Sequence, residues 1–81
     1  MDYVMKLFKE TDELLKELYE KSDIYLMWQI MRNWGWIKEV LSSEFYSDNI
    51  DYDTYTTLSK KADEYNKAVR AYLYELKEYS E

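Results

Sequence analysis

The chain contains no cysteine, no histidine and no proline, and its one glycine is Gly35. Without cysteine or histidine there is no disulfide framework, no thiolate nucleophile, no zinc site of the usual kind and no imidazole to serve as a general base. Without proline or further glycine, helices can run uninterrupted, and the turn chemistry of a strand-rich fold is missing. No apolar run approaches the ~20 residues of a membrane span, and the start of the chain lacks the basic-then-apolar pattern of a secretory signal. The expected location is the cytoplasm.

What is present is 47% apolar and 35% charged residues, with ten tyrosines among 81 positions. That balance favours a folded chain over disorder and suffices for one small helical domain, 1–81. The formal net charge of -6 argues against direct contact with nucleic acid or an anionic membrane, which need clustered Lys and Arg. A partner with a basic surface suits it better.

Apolar spacing predicts an all-α fold with helices at about 2–21, 23–46 and 52–80. In the first, Val4, Leu7, Thr11, Leu14 and Leu18 recur at three- and four-residue intervals, with Phe8 and Leu15 widening the stripe. Asp2 is a candidate cap, and Lys6, Glu10, Glu13, Glu17 and Lys21 form the solvated face. Ser22-Asp23 supplies capping side chains for a tight turn into the second helix. There Met27, Ile30, Met31, Trp34, Ile37, Leu41 and Phe45 form the core line, and Leu26 and Val40 widen it, as a helix touching two neighbours requires. Gly35 costs ~1 kcal/mol relative to Ala in a helix. The stripe passes through it in register, so one helix is expected, with a break near Asn33 to Gly35 as the alternative.

Ser47-Asp48-Asn49 ends the second helix, and Asp51 or Asp53 can cap the third. Tyr55, Leu58, Ala62, Tyr65, Val69, Tyr72, Leu76 and Tyr79 then fill successive a and d heptad positions, giving a long C-terminal helix. Short connections make neighbours antiparallel, so the expected architecture is an up-down-up three-helix bundle. The tyrosine rings should pack with their hydroxyls reaching water at the rim. A stripe so rich in tyrosine also leaves open a homodimer through the third helix.

Little in the chain suggests catalysis. The serines and threonines have no base to activate them, and paired carboxylates would need a desolvating cleft that a small solid bundle rarely has. Asp51 and Asp53 stand two apart as in a calcium loop. Counted from Asn49, however, an EF-hand would need glycine at Thr54 and glutamate at Lys60. No metal, cofactor or enzyme activity is expected.

Two features point to a protein partner. Between Lys38 and Lys60 lie five acids, Glu39, Glu44, Asp48, Asp51 and Asp53, and no base, a patch able to steer a basic surface onto the bundle, in which Glu39, Glu44 and Asp48 should be solvated. Carboxylates at the start of the third helix also suit its dipole, which explains Asp51 and Asp53 but not Glu39 and Glu44. Second, Tyr25, Trp28, Arg32 and Trp36 form a row roughly opposite the core line, in residue types enriched at binding hot spots. The plainer alternative is that both tryptophans reach round to cover the outer helices.

These features suggest a small acidic, non-enzymatic inhibitor that occupies a basic surface of a nucleic-acid-handling protein. Phage and mobile-element anti-defence proteins of the anti-CRISPR kind are the class analogy. The rival expectation is a structural or regulatory helical homo-oligomer of the immunity-protein or antitoxin type, with the exposed aromatics as its self-interface.

Overall fold

The computed structural model describes residues 1–80, with side chains through Glu75. It is an all-helical, three-helix bundle: α1 spans Asp2–Lys21, α2 Ile24–Tyr46 and α3 Tyr52–Ser80. Its long axis measures 48 Å against 19 and 14 Å across, so the bundle is elongated along its helices. The side chains of Leu76 and Tyr79, the last two expected heptad positions, lie outside the described residues.

Local chemistry sets the helix ends. Asp2 does not cap α1; Met1 takes the cap position and Asp2 sits in the first turn, where its charge favours the helix dipole. Ser22 closes α1 in the left-handed conformation (φ 53°), its N–H donating to the Leu18 carbonyl at 2.9 Å. Asp23 then caps α2 by accepting from the Tyr25 N–H at 2.9 Å. At the other end Asp48 adopts φ 60°. The N–H groups of Asp48 and Asn49 satisfy the carbonyls of Phe45 and Glu44 at 3.1 and 2.9 Å, the paired bonds of a Schellman closure. Asp51 caps α3 through the Thr54 N–H at 2.7 Å, whereas Asp53 lies inside the first turn. Contacts with Thr54 hold the Asp51 carboxyl below its ordinary range.

α2 packs closely against both α1 and α3, and its Ile30, Ile37 and Leu41 are fully buried. Burying each such side chain is worth ~1.5–3 kcal/mol. Gly35 does not break the helix, which is continuous from Ile24 to Tyr46. Leu14, which the stripe places in the core, is only partly buried, because it stands on the flank of α1 next to an open groove. Met31, Trp34 and Phe45 are likewise partly buried. Leu18, Val4 and Phe8 carry the interior of α1.

α1 and α3 meet through long side chains. Phe8 and Tyr65 have ring centroids 6.1 Å apart, Tyr19 and Tyr72 6.4 Å apart, and the Lys61 ammonium sits 4.7 Å from the Phe8 centroid. The Tyr65 hydroxyl does not reach the rim. It turns into α1, between the Phe8 carbonyl and the Asp12 carboxylate, as a donor to either. Burial, then the Asp12 hydrogen bond and charge, hold its proton far more tightly than in a free tyrosine. Tyr72 is also buried, with no hydrogen-bond partner for its hydroxyl among the described residues.

Two polar links fix how α2 is rotated about its axis. Thr11, wholly buried, donates to the Leu7 carbonyl at 2.6 Å and accepts from Asn33 Nδ2 at 3.2 Å. On the opposite flank the Trp34 indole N–H donates to Asp63 at 3.1 Å, and Lys38 Nζ lies 3.1 Å from the same carboxylate. Burial pushes the Asp63 pKa up, but Trp34 and Lys38 outweigh it and leave the carboxyl below its ordinary range. With Asn33 tied to α1 and Trp34 to α3, the arc carrying Trp28, Arg32 and Trp36 must face outward.

Candidate functional site

The outward side of α2 is where the expected aromatic row stands. Tyr25 is 61% exposed, Trp28 67% and Trp36 52%. Arg32 and Glu39 are exposed on the same side. Gly35 also opens outward; a methyl group added there would meet nothing within 4 Å. Its helical backbone has no positive φ. Neither packing nor backbone geometry therefore requires glycine at this position.

The acidic run does not form one patch. Glu39 shares a recess with Trp36, Val40 and Ser43 and so belongs to the aromatic face. Glu44, expected to be solvated, is half-buried on another flank of α2, where its carbonyl accepts from Asn49. Asp48, Asp51 and Asp53 are exposed at the α2–α3 junction. Asp48 and Asp51 serve the two helix ends there, and Asp53 borders a shallow depression with Thr54, Thr57 and Leu58.

Residues that sequence periodicity assigned only to solvent join the site from α1. A recess between α1 and α2 is lined by Tyr3, Leu7, Glu10, Arg32, Asn33 and Trp36. The next recess along shares Glu10, Arg32 and Asn33 and adds Glu13, Leu14, Glu17 and Gln29. These two recesses form one furrow along the α1–α2 seam, with no α3 residue in its walls; the Trp36–Glu39 recess, walled by α2 alone, adjoins it at Trp36. The signal available in the sequence was the 3-and-4 spacing of Glu10, Glu13 and Glu17. It places them on one face of α1 but does not say which helix lies beside that face.

The furrow combines carboxylates, indole and phenol surfaces and an aliphatic floor, which suits a cationic and partly apolar side-chain surface. Among the described residues no group of three or more acidic side chains is arranged to hold a metal ion, and no helix is long and apolar enough to cross a membrane. No protein-family model, curated protein or solved structure matches the chain.

Proposed function

We propose that this chain is a small acidic protein-binding module that inhibits a nucleic-acid-handling protein by occupying a basic surface on it. The observation that carries this reading is the exposure of Trp28 and Trp36 on the outward side of α2. Exposed tryptophan is uncommon on a small monomer, and tryptophan and arginine are the residues in which binding energy concentrates. Gly35 supports it, since a helical glycine with no internal reason admits close approach by another backbone. The chain's charge of -6 matches a surface that normally meets phosphate. The role is binding without chemistry, and the anti-CRISPR analogy enters here only as an example of such inhibitors.

A panel of purified nucleases and nucleic-acid-binding proteins with basic grooves, titrated with this chain, tests the reading. Association with a true partner should slow steeply with salt, because exposed charges are screened beyond ~8 Å at physiological ionic strength. Bound nucleic acid should compete, and Trp28→Glu/Trp36→Glu should abolish the complex. Glu39→Gln/Asp48→Asn should lower the on-rate with little change in stability. A partner indifferent to salt and to both double variants would contradict the reading. Self-association of the free chain, abolished by the same tryptophan changes, would favour the homo-oligomer, to which exposed Ile24, Leu73 and Tyr74 also lend themselves.

A further inference from the structure

We infer that the α1–α2 furrow is the seat of a basic α-helix from the partner, a proposal that rests on the function proposed above and names the element recognised. Two antiparallel helices have a groove on each side. α3 fills one, meeting Phe8, Asp12 and Tyr19 of α1 and Trp34, Lys38 and Phe45 of α2. The furrow is the other groove, and it is open. Its floor is apolar, with Leu7 and partly buried Leu14, and Trp36 forms one wall. A fourth helix laid there would bury the remaining apolar flank of the pair as a bundle helix does.

Charge selects the occupant. Glu10, Glu13 and Glu17 line the furrow against one cation, Arg32, and Glu39 stands in the recess that adjoins it at Trp36. Among the described residues Arg32 forms no ion pair with any of these carboxylates. A second copy of this acidic chain would bring like charges together, and nucleic acid would be repelled. A helix with Arg or Lys once per turn would place guanidinium or ammonium groups against the glutamates and over the Trp36 ring. From Tyr3 to Glu17 the furrow follows fourteen helical steps of α1, about 21 Å, which accommodates four turns of such a helix.

The probe is a fluorescein-labelled, alanine-based helical peptide of about 16 residues carrying Arg once per turn, with anisotropy read against the full chain at low salt. The wild-type chain should bind it. Glu10→Gln/Glu13→Gln/Glu17→Gln should weaken binding about ten-fold, the equivalent of ~1.4 kcal/mol over three exposed pairs. Asp48→Asn/Glu64→Gln/Glu75→Gln removes the same charge away from the furrow and should weaken it less than about three-fold by screened attraction alone. Circular dichroism of both variants checks that helix content is kept. Equal losses in the two triples, or no binding by the wild type, overturn the furrow as the docking seat. A basic protein partner lost on Trp28→Glu/Trp36→Glu but unaffected by the α1 triple overturns it too, while leaving the proposed function standing.

Discussion

On its inward side α2 presents Leu26, Ile30, Ile37 and Leu41 to its neighbours, and on its outward side Tyr25, Trp28, Arg32, Trp36 and Glu39 to water. The three tryptophans make the contrast sharpest. Trp34 is partly buried and its indole N–H is spent on Asp63. Trp28 and Trp36 are more than half exposed, and neither indole N–H has a partner among the described residues. One tryptophan is explained by the fold, then, and two are not. Gly35 belongs with those two, being a helical glycine that no neighbour demands. Residues that the fold does not need, gathered on one face, point to a requirement imposed from outside the domain.

The contrast breaks if inner truncations are mild. Leu41→Ala should cost ~2–5 kcal/mol and Ile30→Ala the same, enough to unfold a domain of this size, as urea unfolding followed by circular dichroism would report. Leu14→Ala should cost clearly less than Leu41→Ala, since Leu14 borders the furrow instead of the closed core.

The α1–α3 seam gives the next largest effect. Tyr65→Phe keeps the ring packing but removes the hydroxyl from Asp12 and the Phe8 carbonyl, a loss of ~1 kcal/mol. The raised Tyr65 pKa adds a pH signature. An unfolded tyrosine ionises near pH 10 while the native one stays protonated, so this contribution is whole below that pH and is lost as pH rises above it. The Phe variant should lack that part of the alkaline loss.

Gly35→Ala should raise stability by ~0.5–1 kcal/mol, because the methyl group enters open space and helix propensity improves. If it also weakens partner binding, the glycine is there for close approach. A destabilising result would mean that the outward face is packed after all.

Asp63 gives a smaller, graded effect. Its lowered pKa means that its stabilising contribution is complete above the ordinary aspartate pKa of ~3.9 and is lost as pH falls below it. Asp63→Asn should therefore flatten the acid limb of the stability profile, with only a modest change at neutral pH because the pair is partly solvated.

Much of this was legible in the residues themselves. Ser22-Asp23 and Ser47-Asp48-Asn49 state their turns through side chains that cap and backbones that tolerate positive φ. The stripe that runs in phase through Gly35 carries α2 across it unbroken. What one helix's periodicity cannot encode is the rotation of its neighbour. Thus Glu10, Glu13 and Glu17 read as plain solvent-facing residues although α2 brings Trp36 beside Glu10, and Glu44 read as solvated although it lies half-buried. The Tyr65 hydroxyl was misdirected for the same reason, since its partner Asp12 is 53 residues away in the chain. Asn33, whose bond to Thr11 helps set that rotation, carries no periodic signal at all.

Chemical unfolding of Trp28→Glu/Trp36→Glu separates fold from function on the outward face. If these side chains serve a partner, the double variant stays helical and unfolds cooperatively, with a loss below ~2 kcal/mol, smaller than a single core truncation. An unfolded variant, or a loss of several kcal/mol, would make both tryptophans part of the core and contradict the division of α2 into a structural and a binding side.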